Sequence, residues 1–343
     1  MKLDAAYSTI SAASITTVVD EQYAIGPLAR CSLLRRGFND SYAMKGADGR
    51  RYIARLSKRR FRGPANADYE TELLTHLHRS GITVGAPVAD RDGRLWNSHD
   101  APEGPREFVL FERLSGRELI AAVRRAGKPD EQTLTDVQAL GASLARIHVA
   151  GEGFEGPPSL YRIEGSDLLD APLAQIVGVV DGDLGETATA LGDKLRTRLH
   201  ERAAALSIGH CHGDNHAGNT LIADAADGTL VPGWFDFDDG GPGFLAYDLA
   251  TFLWSLLLRT PSGEMNEDVP PFWRAFIGGY RSARPIRAAD LKSIGLLVAV
   301  RQIWLLGNHA SLVPSIGPFP ADYFRQGLDL ARKWEGLSAP EVE

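Results

Sequence analysis

Short segments that alternate apolar and polar residues fill the first third of the chain and predict β-strands. The alternation runs through 31–35, 41–45 and 51–56, and a turn at Asp48 and Gly49 separates the last two segments. Further strands are expected at 86–89 and 107–111. One helix is expected at 65–79, where Leu73, Leu74 and Leu77 share a face. The pattern predicts a five-stranded antiparallel sheet with one helix, after a helix and turn within residues 1–27.

From residue 116 onward the apolar positions recur every three or four residues, which predicts helices. The clearest helix covers 134–149, weaker ones lie within 166–209, and others are expected near 245–259, 271–282, 288–309 and 321–335. Between them, a loop at 214–219 precedes a hairpin with strands at 220–223 and 230–237. A sheet followed by helices is an α+β arrangement. We expect two lobes, residues 1–114 and 115–343, with a cleft between them.

Composition narrows the class of protein. The chain has 343 residues, 44% hydrophobic and 24% charged, as in a soluble globular protein. A net charge of −7 argues against nucleic acid as a partner. Two cysteines, Cys31 and Cys211, cannot form a disulfide framework and suit a reducing cytoplasm. The longest apolar stretch, 244–258, is too short to span a membrane. We expect a cytoplasmic monomer or homodimer.

Two segments carry candidate chemistry: H-C-H-G-D-N-H-A-G-N at 210–219 and W-F-D-F-D-D at 234–239. Asp214 lies five residues before Asn219, and Asp236 lies at the end of an expected strand. The hairpin brings Asn219 and Asp236 close enough to share one ion. In phosphoryl transfer, one carboxylate orients and deprotonates the attacking hydroxyl, while an amide oxygen and a second carboxylate hold magnesium. The sequence assigns Asp214 to the first role and Asn219 and Asp236 to the second.

These segments resemble the aminoglycoside phosphotransferase and choline kinase group of protein-kinase-like enzymes. The H-G-D-x-x-x-x-N catalytic loop of that group is matched by His212, Gly213, Asp214 and Asn219. Asp236 takes the place of the D-F-G aspartate. Within the group, the chain is most similar to bacterial stress-response kinases and type II homoserine kinases. The resemblance implies a bilobal fold with a small antiparallel-sheet N-lobe and a mostly helical C-lobe, ATP and Mg²⁺ as cofactors, and a hydroxyl-bearing acceptor.

The resemblance also assigns supporting residues. His212 would brace the catalytic loop, and Asp248 would buttress it without touching substrate. Arg55 stands where protein kinases place the strand lysine that holds the phosphates, and its planar fork can bridge phosphates or an acidic partner. Glu70 is the candidate partner and is favoured over Glu72, because it lies beside the apolar face of the expected helix.

Further nucleotide contacts are expected along the sheet. Asn39 and Ser41 offer donors to phosphate oxygens, although both residues would serve equally well in a turn. Backbone groups of the connector between the lobes, at Glu112 and Leu114, would bond to adenine. The basic run at 58–62 suits either a solvated loop or contact with an anion.

The acceptor remains open at this point. Arg301 and Trp304 lie on one face of an expected helix; an arginine suits a carboxylate-bearing acceptor such as homoserine. Asp238 would share a face with Asp236 on an extended strand, and acidic residues there suit an aminoglycoside or choline. A sugar acceptor is also open, as is a protein serine or threonine. Lesser alternatives are a nucleotide-binding pseudokinase and a zinc hydrolase using His210, His212, Asp214 and His216.

Overall fold

The computed structural model describes residues 5–58, 61–124, 129–320 and 322–341. A five-stranded sheet forms the first part of the protein, and all of its neighbouring strands are antiparallel, in the order β1-β2-β3-β5-β4. Its elements are α1 (Ala12–Gln22), β1 (Leu28–Arg36), β2 (Asn39–Gly46), β3 (Arg51–Ser57), α2 (Ala67–Arg79), β4 (Asn97–Ala101) and β5 (Gly104–Glu112).

Alternating apolar residues give this sheet its own core. Tyr42 on β2, Tyr52 on β3 and Phe108 on β5 are buried beneath Ile15 and Val19 of α1. The buried positions follow the two-residue period of a strand, which places them on one face. The sheet therefore buries one face under α1, and its strands agree with the predicted pattern at β1, β2, β3 and β5.

The predicted strand at 86–89 was wrong. Only an isolated bridge pairs Pro87 with Phe111, and the fifth strand is β4 instead. The Val88 N–H donates to the Leu110 carbonyl at 2.7 Å and the Ala86 carbonyl accepts the Glu112 N–H at 2.8 Å, but the pairing with β5 ends there. β4, with the sequence N-S-H-D-A, is a polar edge strand without apolar alternation, which is why the sequence pattern did not show it.

Helices dominate the second part, as predicted. Its helices are α3 (Leu119–Val123), α4 (Glu131–Gly151), α5 (Ala171–Val177), α6 (Asp183–Ala203), α7 (Leu245–Leu257), α8 (Val269–Ala283), α9 (Ala288–Lys292), α10 (Ile294–Ile316) and α11 (Tyr323–Trp334). Its short strands are β6 (Arg117–Glu118), β7 (Ile208–Cys211), β8 (Thr220–Asp224), β9 (Leu230–Trp234) and β10 (Gly241–Phe244). Single helical turns lie at Ser166–Asp170, Ala217–Asn219 and Pro261–Gly263. The predicted α+β class is confirmed.

Three predicted boundaries in this part differ from the structure. The second lobe was expected to begin as a helix at residue 116, but β6 first pairs with β8. The strand expected at 230–237 ends at Trp234, because Asp236 has a φ of 69° and leaves the extended region. The helix expected at 288–309 is two helices, α9 and α10, which meet at Ser293. Ala321, part of the last predicted helix, lies outside the described residues.

α10 is the central helix of the second core. Within the described part of the chain it is the one helix long and apolar enough to cross a membrane, and 72% of its apolar window is buried inside the protein. α5, α7 and α11 pack around it, which accounts for apolar residues on all of its sides. Leu73, Leu74 and Leu77 of α2 join the same core, so the helix of the sheet region packs on the helical region.

Candidate active site

A cleft of about 710 Å³ lies between the five-stranded sheet and the helical part. Its walls come from β1, β2, β3 and β5 on one side and from α10 and the segments around β8 and β9 on the other. Every residue predicted to bind nucleotide, metal or acceptor lines this cleft except Glu70, which lies behind Arg55. The lining residues among them are Asn39, Ser41, Arg55, Glu112, Leu114, Asp214, Asn219, Asp236, Asp238, Arg301 and Trp304.

Asp248, buried at the start of α7, holds the loop that carries Asp214. Its Oδ2 accepts the backbone N–H of His212 at 2.7 Å, and its Oδ1 accepts that of Gly213 at 2.9 Å. His148 Nε2 lies 3.0 Å from the same carboxylate. Gly213 has a φ of 82°, and a Cβ there would come within 2.1 Å of the Asp239 carbonyl oxygen. The loop therefore needs both the carboxylate and a glycine to adopt this shape.

His212 links the loop to the segment that carries Asp236. Its Nδ1 accepts the backbone N–H of Asp214 at 3.2 Å, and its Nε2 lies 3.1 Å from the Phe235 carbonyl oxygen. Complete burial lowers the pKa of His212, so the ring is neutral and carries its hydrogen on Nε2. The Phe235 N–H in turn donates to the Asn219 carbonyl at 3.2 Å. These bonds bring Asn219 next to Asp236.

The Asn219 side chain is oriented by Asp214. Its Nδ2 donates to the Asp214 carbonyl oxygen at 3.0 Å and to Oδ2 of the Asp214 carboxylate at 3.1 Å. Because the amide nitrogen is used in these bonds, the amide oxygen is the atom left to ligate a cation. Oxygen from an amide or a carboxylate is the ligand type that magnesium prefers.

Asp236 has a left-handed backbone, which is uncommon for a residue with a side chain. Its side chain is 39% exposed to the cleft, and its Oδ1 lies 3.7 Å from Arg55 Nη1. The enclosing cleft walls, followed by the charge of Asp238, raise the pKa of Asp236 well above its usual value, and Arg55 offsets this only in part. Negative charge in the cleft is thus undercompensated, and a divalent cation would compensate it.

The described residues contain no group of three or more His, Cys, Asp or Glu side chains arranged to hold a metal ion. Asn219 and Asp236 together fit a cation that takes its other ligands from nucleotide phosphates and water, as magnesium commonly does. The zinc-hydrolase alternative finds no support, because the imidazoles have separate partners. His210 Nδ1 bonds to Tyr69 Oη at 2.7 Å, and His216 Nδ1 accepts the Gly218 N–H at 2.9 Å.

Both oxygens of the Asp214 carboxylate have side-chain partners. Arg301 Nη2 donates to Oδ1, while Asn219 Nδ2 and His216 Nε2 face Oδ2, the latter at 3.4 Å. Burial alone would raise the pKa of Asp214, but His216 and Arg301 hold it well below its usual value. The sequence pattern did not predict these contacts from His216 and Arg301.

On the sheet side of the cleft, referred to below as the nucleotide end because nucleotide contacts are expected there, Arg55 and Glu70 form a doubly bonded buried pair. Nη1 donates to Oε1 at 2.7 Å and Nη2 donates to Oε2. Their side chains are 4% and 2% exposed, whereas Glu72 faces solvent. The pair fixes the guanidinium between β3 and α2, with one edge towards Asp236.

The other predicted nucleotide residues differ in what they offer. Asn39 Nδ2 donates to Asp238 Oδ2 at 2.6 Å, so its amide links β2 to the segment after β9. Ser41 lies opposite Arg55 in the β2–β3 ladder. The Glu112 N–H is taken by the Ala86 carbonyl at 2.8 Å. The premise for Asp238 was wrong: no extended strand joins it to Asp236, since β9 ends at Trp234.

The α10 side of the cleft, referred to below as the acceptor end because Arg301 and Trp304 were expected to meet the acceptor, contains aromatic residues that the sequence analysis did not identify. Phe38, from the loop between β1 and β2, stacks on His309 of α10 with ring centroids 5.8 Å apart. Trp254 of α7 also lines this end. The basic run at 58–62 contributes Arg62, whose Nη2 lies 2.5 Å from Asp239 Oδ1; its neighbours at 59 and 60 lie outside the described residues.

The family model described as the phosphotransferase enzyme family matches residues 31–286. A homoserine kinase from Azorhizobium caulinodans is 28% identical over 84% of this chain and 82% of its own length.

Two solved structures share the fold. One is amicoumacin kinase hAmiN in complex with AMP-PNP, Ca²⁺ and Ami; its TM-score is 0.74 at 19% identity, covering 97% of this chain and 96% of that chain. The other is a microcompartment-associated aminopropanol kinase, with a TM-score of 0.69 at 23% identity, covering 95% of this chain and 96% of that chain. The predicted protein-kinase-like fold is confirmed.

Proposed function

We propose that this chain, which belongs to the phosphotransferase enzyme family, uses ATP and Mg²⁺ to phosphorylate the hydroxyl group of a small amino alcohol. Phosphoryl transfer to a small molecule follows from the family; the nucleotide, the metal and the acceptor class are the proposal. The observation that carries it is the meeting of Asp214, Asn219 and Asp236 at one wall of the cleft, next to the buried Arg55.

The sheet side of the cleft would hold ATP. The Glu112 carbonyl and the Leu114 N–H are the backbone groups proposed to bond to adenine, since the Glu112 N–H already bonds to Ala86. Arg55, fixed by Glu70, would contact the phosphates, and Asn39 and Ser41 of β2 would lie next to them. We assign residues 1–114 to the nucleotide-covering lobe and residues 115–343 to the lobe with the catalytic loop and the acceptor pocket.

Asp214 would accept a hydrogen bond from the hydroxyl group of the acceptor. A carboxylate whose pKa is held low is a weak base, so its main contribution is to orient the hydroxyl for in-line attack and to take the proton late in the reaction. A divalent cation held by Asn219 and Asp236 supplies charge neutralisation at the phosphates. Positioning and electrostatics are the main levers for a loose phosphoryl transition state.

Charge in the cleft favours a cationic acceptor. The carboxylates of Asp214, Asp236, Asp238 and Asp239 line the cleft, against the guanidinium groups of Arg55 and Arg301 and that of Arg62 beside Asp239. Aromatic rings next to this acidic excess add favourable contacts for an ammonium group. The names of two comparison proteins, aminopropanol kinase and homoserine kinase, also denote acceptors that join a hydroxyl to an amine.

The test is transfer of label from [γ-³²P]ATP to a panel of 1-amino-2-propanol, choline, homoserine and kanamycin, with 2-propanol and casein as controls. We expect a labelled phosphomonoester on at least one amino alcohol, lost on addition of EDTA and restored by Mg²⁺. Equal labelling of 2-propanol would show that recognition does not need the amine, and would contradict an amino alcohol as the acceptor class. Labelling of casein alone would favour a protein kinase, and the absence of any ATP turnover would favour a pseudokinase.

A further inference from the structure

Arg301 stands at the acceptor end of the cleft, on α10, with 2% of its surface exposed. Its guanidinium contacts two indoles: the central carbon is 4.8 Å from the ring centroid of Trp254 and 4.2 Å from that of Trp304. Trp254 Nε1 donates to Gln302 Oε1 at 2.9 Å, which fixes that indole. Burial and the two aromatic contacts restrict the orientations open to the guanidinium.

The guanidinium points at Asp214. Nη2 donates to Oδ1 of the carboxylate, and Nη1 lies 3.5 Å from Tyr247 Oη. Arg301 Nε is buried and has no hydrogen-bond partner among the described residues. Among the described residues, Asp214 is thus the carboxylate that this guanidinium contacts.

The opposite side of the Asp214 carboxylate is held by the catalytic loop itself. His216 Nδ1 accepts the Gly218 N–H at 2.9 Å, which leaves Nε2 to face Asp214 Oδ2 at 3.4 Å. Asn219 Nδ2 contacts the same oxygen. Each carboxylate oxygen has two lone pairs, so Oδ1 can accept both the arginine and a hydroxyl.

We propose that Arg301 is a positioning residue: it acts through Asp214, fixing the carboxylate between α10 and the catalytic loop so that one oxygen faces the incoming hydroxyl. This inference rests on the proposed function of Asp214. It changes the role expected of Arg301, which the sequence suggested as a receptor for an acceptor carboxylate. If the Asp214 carboxylate were free to rotate, Asn219 and Asp236 would still hold the cation and its nucleotide. The carboxylate would meet the hydroxyl in the right orientation less often.

The test is a double-mutant cycle between Asp214→Asn and Arg301→Met, with Arg301→Lys as the conservative variant. Release of labelled phosphate from [γ-³²P]ATP, with water as the acceptor, gives kcat and the KM for ATP without knowledge of the natural acceptor. We expect Arg301→Met to lower kcat about 100-fold with the KM for ATP within about threefold. Lysine should recover about tenfold, since it restores the charge but not the planar fork.

In the Asp214→Asn background, Arg301→Met should change the rate less than about twofold, because its partner is already lost. Arg259→Met, which removes a partly buried arginine that does not line the cleft, is the control and should keep the wild-type rate. An unchanged hydrolysis rate in Arg301→Met, or an effect that simply multiplies with that of Asp214→Asn, overturns the positioning role.

Two further outcomes are distinguishable. If Asp214→Asn itself hydrolyses ATP at the wild-type rate, the proposed function fails, and this inference fails with it. If Asp214→Asn is inactive while Arg301→Met is normal with water, only the inference fails. Circular dichroism and the melting temperature of each variant show whether it folds, and Arg301→Lys carries the test if the methionine variant does not.

Discussion

Two arginine–carboxylate pairs lie at the cleft, one on the sheet side and one at α10, and in each pair a different member has the proposed contact with a reactant. At the nucleotide end, Arg55 is the group proposed to meet phosphate, and Glu70 holds it in place. At the acceptor end, Asp214 is the group proposed to meet the hydroxyl, and Arg301 holds it in place. The net stability of a buried ion pair is often small, because desolvation opposes the attraction. What both pairs provide is a fixed orientation.

The largest expected effect concerns the acceptor end. Asp214→Asn should lower kcat for phosphoryl transfer about 10³- to 10⁴-fold, because the amide cannot take the proton from the hydroxyl. Nucleotide affinity, measured by calorimetry with AMP-PNP and Mg²⁺, should stay within about threefold of wild type. A kcat within tenfold of wild type would remove Asp214 from its proposed role.

The next prediction concerns Asp236, at the proposed cation site. Asp236→Asn removes one charge from the proposed cation site and should lower kcat/KM for ATP about 100- to 1000-fold. The Mg²⁺ concentration for half-maximal rate should rise as well, and titration of Mn²⁺ into the AMP-PNP complex would measure that shift directly. Wild-type cation affinity in this variant would contradict a metal role for Asp236.

Substitutions at the nucleotide end should change mainly the KM for ATP. Arg55→Met is expected to raise the KM for ATP about 10- to 30-fold with a smaller effect on kcat, because a ground-state phosphate contact is lost. Glu70→Gln should show the same pattern, weakened, since the guanidinium keeps one hydrogen-bond partner. Glu72→Gln on the exposed side of the same helix is the matched control and should behave as wild type. A drop in kcat alone would place Arg55 in transition-state chemistry.

The smallest expected effect concerns the contribution to stability of His309, which stacks on Phe38 at the acceptor end. Burial, and then the charge of Arg301, lowers the pKa of His309 to about 4. Between about pH 6.5 and 4 the unfolded chain gains a proton that the folded chain does not, so this histidine lowers stability as the pH falls.

His309→Asn should remove that contribution. The drop in melting temperature between pH 7.5 and 5.0 should shrink by about 2–4 °C relative to wild type, while other buried histidines maintain the rest. An identical drop in both proteins would show that His309 is not held neutral by its surroundings.

The first pair could be predicted from the sequence because its members lie 15 residues apart, on a strand and helix with clear apolar periods. The hairpin that joins Asn219 to Asp236 was also predictable, from spacing and turn residues. The second pair spans 87 residues. It depends on α10 packing beside the catalytic loop, and α10 is apolar on all sides, so its sequence pattern does not reveal which face meets the cleft.

Two further features could not be predicted, for other physical reasons. β4 is a short edge strand with the sequence N-S-H-D-A. It has no alternation of apolar and polar residues from which a strand could be predicted. The left-handed backbone of Asp236 is imposed by the surrounding segments, since an aspartate has no strong preference for that region. In both cases tertiary packing outweighs the local preference.

Diffraction from crystals of the AMP-PNP complex soaked in Mn²⁺ tests the central claim most directly, because anomalous scattering locates the cation. The account predicts a peak between the Asn219 amide oxygen and the Asp236 carboxylate, with the terminal phosphate of the analogue facing Asp214. A cation seated among the imidazoles of the catalytic loop, or a terminal phosphate turned away from Asp214, would contradict it.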